Sequence, residues 1–176
     1  MNLAEREVRI MAIVLRSQRA GCAVLEGALG LLDWRIVYFE KNADAQVVAA
    51  KKKMANLIHL HTPSVIVLCR TRLDQAHNAR AVASVARAIK REAAHSLIPV
   101  MTVKRAMVRD TFKTLGIRSR EGIAAMLATM FQELAPKLPP TRKIWHGEHA
   151  IMTMFDAVAL AVAYWDHHDA RQPESL

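Results

Sequence analysis

Residues 8–40 read VRIMAIVL-RSQRAG-CAVLE-GALG-LLDWRIVYFE, and this stretch decides the fold. Val8–Leu15 is a short apolar run of strand length, rich in β-branched residues. Arg16–Gly21 is polar and ends in glycine, which reads as a turn. Cys22–Glu26 resumes as a second strand, Gly27–Gly30 turns again, and Leu31–Glu40 is a third strand of aromatic and β-branched residues. Three strands joined by tight turns imply an antiparallel meander.

Beyond residue 40 the period changes. Ala43–Leu60 is Ala-rich, with apolar residues at 47, 48, 54, 57 and 58, which predicts an amphipathic helix whose polar face holds Lys51, Lys52 and Lys53. Ser64–Cys69 (SVIVLC) is apolar throughout, as a buried parallel strand is. Gln75–His95 predicts a second helix with Arg80, Arg87 and Arg91 along one side. Ile98–Val103 is a fifth strand, and Ala106–Leu115 a short basic helix closed by Gly116. Arg120–Leu134 predicts a helix with Ser119 as its N-cap, followed by a loop at Pro136, Pro139 and Pro140. Glu148–Trp165 is apolar on all sides, hence a buried helix, and residues 166–176 read as a polar, frayed tail. The order β-β-β-α-β-α-β-α-α-α implies one α/β domain over residues 1–165, a five-stranded mixed sheet with flanking helices.

Composition bounds the function. With 52% hydrophobic residues and a mean hydropathy of +0.08, the chain of 176 residues can bury a core and is not disordered. Its net charge of +9 is uneven. Residues 1–50 carry six basic and six acidic side chains, residues 51–143 carry 18 and five, and residues 144–176 carry one and five. A basic middle of this kind points to a face that meets a polyanion, a solvated helix surface being the plainer alternative. Aromatics are only 5%, so nucleic-acid binding would rest on charge more than on stacking. Cys22 and Cys69 form neither a metal spacing nor a disulfide framework. The charged N-terminus is unlike a signal peptide, and the longest apolar stretch, near 150–165, is interrupted by Asp156 and too short for a bilayer span. The expectation is a cytoplasmic protein without a membrane partner.

Four segments, in order, carry a resemblance. They are Ile10–Val24 (IMAIVLRSQRAGCAV), Pro63–Cys69, the basic Val108-Arg109 … Gly116-Ile117-Arg118-Ser119-Arg120, and Asp156–Ala163 (DAVALAVA). Together, over roughly residues 8–165, the chain resembles the RuvC-type branch of the ribonuclease H-like superfamily, the Holliday-junction resolvases. The resemblance implies two-metal phosphodiester hydrolysis. Carboxylates at the ends of strands one and four and on the last helix would hold Mg²⁺. Here the strand-one position is Val14, and the strand-four position is Cys69, or Leu68 if the register slips. Arg16 and Arg70 follow these positions and add positive charge. Asp156 matches the last carboxylate, with Glu148 eight residues before it on the same helix face as a second possible metal ligand. The alternative for Asp156 is a structural ion pair with an arginine on a neighbouring element.

The resemblance therefore implies a catalytically impaired resolvase relative that binds branched or duplex DNA, as a homodimer. No cofactor is expected, or Mg²⁺ if the chain is active. Lys104, Arg105, Arg109, Lys113, Arg118 and Arg120 are the expected phosphate contacts, and six such contacts give a log–log salt slope of roughly −5. Two other functions stay open. One is an active Mg²⁺-dependent nuclease with acids relocated to Glu26, Asp33, Glu40 or Asp74. The other is a non-catalytic dimeric scaffold that uses the apolar closing helix. The histidines at 146, 149, 167 and 168 are too loosely spaced for a zinc site and read as exposed or capping residues.

Overall fold

In the central strand, successive residues serve two different cores. Ile10, Ala12 and Val14 pack on one face of the sheet, and Met11, Ile13 and Leu15 on the other. This is the period of two, and burial on both sides explains why the run lacks polar alternation. The computed structural model of the chain describes residues 8–39, 44–70, 79–140 and 149–169.

Strands β1 (Arg9–Leu15), β2 (Arg19–Glu26) and β3 (Gly30–Tyr38) form the antiparallel meander. Strands β4 (Val65–Arg70) and β5 (Val100–Val103) add parallel to β1, giving the order β3-β2-β1-β4-β5. Helices α1 (Asp44–His61) and α2 (Ala79–His95) cover the odd-numbered face of β1. Helices α3 (Arg105–Thr114), α4 (Arg120–Met130) and α5 (Met152–Asp169) cover the even-numbered face. The mixed sheet flanked by helices is the architecture expected from the sequence. No helix among the described residues is long and apolar enough to cross a membrane.

Helix α5 fills the centre of its layer against β1 and β2. Met152 through Phe155 and Ala157 through Ala161 are all buried, which accounts for a helix that is apolar on every side. Its first turn lies directly on β2. A Cβ at Gly21 would stand 1.9 Å from the carbonyl oxygen of Thr153, so only glycine permits this approach. The buried Thr153 hydroxyl accepts a hydrogen bond from Arg19 Nε at 2.8 Å.

Several boundaries differ from the sequence reading. The first turn is shorter, because Arg16 N–H bonds to the Arg19 carbonyl at 2.9 Å and β2 begins at Arg19. The fourth predicted helix stops at Met130. Phe131 is extended (φ −119°, ψ 96°) so that its ring can be buried, and Gln132–Lys137 continues as a 3-10 turn that takes in Pro136. The last helix starts at Met152, not Glu148, and runs through Asp169, so part of the predicted tail is helical. The first half of the closing helix is buried within its own domain, whereas Val162, Tyr164 and Trp165 near its end are only partly buried.

Candidate nucleic-acid interface

The carboxyl ends of β1 and β4 meet α3, α4 and α5 at one place, and Asp156 lies at its centre. The sheet register pairs Val14 with Cys69. Both side chains point to the α5 face, whereas Leu68 lies in the core under α1 and α2. Cys69, not Leu68, therefore occupies the strand-four position.

Arg16 follows β1 on the same alternation as Val14, and its Nη2 donates to Asp156 Oδ2 at 2.5 Å. Arg120 is the first residue of α4. The Ser119 hydroxyl caps that helix by accepting the Gly122 N–H at 3.0 Å, which fixes where α4 begins. From there Arg120 grips Asp156 with two bonds, Nε to Oδ1 at 2.7 Å and Nη2 to Oδ2 at 2.5 Å. Planar fork-to-carboxylate pairing of this kind is the strong form of the arginine–carboxylate bond. The side chains are only 17% (Arg16), 21% (Arg120) and 17% (Asp156) exposed. Asp156 thus makes the ion pairs with arginines on neighbouring elements that the sequence reading gave as its alternative.

Around this triad lies a cavity of about 120 Å³. Arg16, Arg105, Arg109, Arg118 and Arg120 line it together with Val14, Cys69 and Asp156. Arg105 and Arg109 are four apart on α3 and share a face, with Lys113 one turn further on. Arg105, Arg109, Lys113 and Arg118 are exposed. Of the six basic residues expected to meet phosphates, four therefore reach the cavity. Lys104, the exposed N-cap of α3, and Lys113 do not line it. The sequence reading missed the apolar wall: Val108, Ile123, Ala124, Phe155, Ala159 and Leu160. All but Phe155 lie in helical register with a basic or acidic residue already singled out, as 105/108/109, 120/123/124 and 156/159/160.

The donor set does not fit a divalent ion. Hard cations need several oxygen ligands. Val14 offers none, and both Asp156 oxygens accept from guanidinium groups. Burial pushes the Cys69 thiol above its ordinary value of 9.0, against the pull of Arg105 and Arg16, while Asp156 adds to the rise. No group of three or more His, Cys, Asp or Glu side chains that could hold a metal occurs among the described residues.

Two of the relocated acids are committed elsewhere. Glu26 pairs with Arg9 at the opposite end of β1, about 20 Å from Arg16. Asp33 pairs with Arg35 and with His61 of α1, which packs on the other face of the sheet. Glu40, Asp74, His146 and Glu148 lie outside the described residues, and the side chain of Arg70 is likewise not described. Cys22 and Cys69 sit in the two separate cores, so they cannot form a disulfide with each other.

No protein-family model and no curated protein matches the chain. Solved structures do. The chain is similar to Thermus thermophilus RuvC in complex with a Holliday junction substrate, with a TM-score of 0.69 and 16% identity, over 93% of this chain and 97% of that one. It is similar to the yeast mitochondrial Holliday junction resolvase Ydc2, with a TM-score of 0.61 and 14% identity, over 93% of this chain and 80% of that one. A third likeness is to fowlpox virus resolvase in complex with Holliday junction DNA, with a TM-score of 0.57 and 11% identity, over 90% of this chain and 99% of that one.

Proposed function

Starting from a chain with the RuvC-type ribonuclease H-like fold, we propose that it binds branched or duplex DNA and holds it without cutting it. One observation carries this reading. The carboxylate that matches the last acid of the resolvase pattern accepts three N–H bonds from Arg16 and Arg120, in a site where Val14 and Cys69 supply no oxygen. Such a site attracts phosphate and, among the described residues, offers no ligand set for a metal that would activate water. Arg105, Arg109 and Arg118 at the cavity, with Lys104 and Lys113 beside them, contact the backbone. A homodimer fits a four-way junction, because the junction's two-fold symmetry then matches that of the protein.

The test is titration against a labelled four-way junction and a matched duplex, at several salt concentrations, with and without Mg²⁺. The expected result is junction binding with a log–log salt slope of about −4 to −5 for five engaged cations, and no product. Product in Mg²⁺ would overturn the impaired reading. No binding at low salt would overturn nucleic-acid binding altogether. Sedimentation of the complex tests the dimer.

A further inference from the structure

The cavity beneath the arginines has more apolar wall than a phosphate can use. Val14, Val108, Ile123, Phe155, Ala159 and Leu160 line it below the guanidinium groups. A phosphate is satisfied by positive charge and N–H donors, and gains nothing from being drawn over aliphatic side chains. Apolar space of this order takes a six-membered ring. An engineered apolar cavity of about 150 Å³ binds benzene, and the volume here is about 120 Å³.

The ligand that matches both halves of the site is a flat ring of low polarity on its faces, joined to anions. We infer that the cavity takes one unpaired pyrimidine base of a bound DNA strand, and that the arginines at its mouth hold the phosphates on either side of that base. The inference rests on the nucleic-acid reading proposed above and names what that site recognises. Arg105 and Arg109 stand about 6 Å apart along α3, one turn of helix, which suits two successive phosphates. The ring carbonyls of a pyrimidine are acceptors, and the guanidinium groups at the mouth are donors. Size favours a single ring over the fused pair of a purine. An unpaired base, as at a strand-exchange point or in a single strand, avoids most of the cost of leaving a stack.

The experiment compares a short oligothymidylate with an abasic strand of equal length and phosphate number, by fluorescence anisotropy at matched salt. The two strands carry equal charge, so their difference isolates the base. The thymine strand is expected to bind about tenfold more tightly, with oligodeoxyadenylate near the abasic value. Ala124→Leu fills the cavity from α4, and Val108→Phe fills it from α3. In either variant the thymine strand should fall toward the abasic one. The wild-type comparison decides the matter even if a variant does not fold. Equal binding of the thymine and abasic strands overturns the inference and leaves the nucleic-acid reading intact. Binding of neither strand, nor of the junction, overturns both. Free thymidine 5′-monophosphate binding as tightly as the strand would make this a nucleotide site and also overturn the inference.

Discussion

Replacing Asp156 by asparagine separates a structural counter-ion from a catalytic acid. The side chain accepts bonds of 2.5, 2.7 and 2.5 Å from two guanidinium groups. Asparagine keeps the shape and one acceptor oxygen, but turns an NH₂ group toward a cation and takes the aspartate's charge away from two arginines. Removing one partner of a buried pair costs about 3–5 kcal/mol. Roughly a fifth of each side chain still meets water, so screening reduces the expected loss to about 2–3 kcal/mol. For a domain of this size that lowers Tm by roughly 5–10 °C. Thermal and urea unfolding of the Asp156→Asn variant measure it, and a double-mutant cycle with Arg120→Gln assigns the coupling. Junction affinity should rise by up to about fivefold, because the one acid among the described residues that line the cavity is gone. A metal-binding aspartate would behave in the opposite way, its replacement leaving stability unchanged or improved and removing cleavage. Wild-type stability in Asp156→Asn would refute the counter-ion assignment.

Gly21→Ala places a methyl group on the Thr153 carbonyl, and displacing the start of α5 should cost about 2–3 kcal/mol, read from the urea midpoint. Arg105→Ala, Arg109→Ala and Arg118→Ala should each flatten the log–log salt slope of junction binding by about 0.9, whereas Lys90→Ala on α2, across the sheet, should leave it unchanged. Burial, with a smaller push from Asp33 that Arg35 opposes, raises the Cys22 thiol to about 12 from 9.0. Its raised folded value means the contribution is complete below pH 9 and is lost as pH climbs from 9 toward 12, at roughly 1.4 kcal/mol per pH unit. Unfolding followed across that window should therefore fall more steeply for the wild type than for Cys22→Ala. Iodoacetamide at pH 8 should leave Cys22 unlabelled until the chain is denatured.

The element order is legible in the sequence because each strand and helix announces itself locally. The all-apolar β1 and β4 have the composition of strands buried on both faces, and α3 and α4 have a glycine stop and a serine cap. Boundaries slip where tertiary packing overrides the local signal, as at Phe131, which leaves helical geometry to bury its ring. The acid at the site is legible too, since Asp156 interrupts an otherwise apolar helix. Its partners are not. Arg16 and Arg120 are both singled out by the resemblance, but they lie 140 and 36 residues from Asp156, and nothing local marks them as the two that pair with it. The same limit explains why Lys104 and Lys113 fall into the expected set by proximity in sequence, although α3 carries them clear of the cavity. The apolar wall escapes a search for charged motifs because it looks like ordinary core.

The seat of α5 also bears on how the chain is made. Its first turn bonds to Arg19 across 134 residues, and it covers the face of β1 and β2 that holds Ile10, Ala12, Ala23 and Leu25. Those strands leave the ribosome well before the helix that covers them. Until residue 169 has emerged, a nascent chain carries an open apolar trough with Arg16 beside it, still lacking its aspartate. Contacts of such long range make folding slow and keep unfinished chains prone to aggregation or chaperone capture. Arrival of α5 is the step that shields β1 and β2 and brings Asp156 to Arg16.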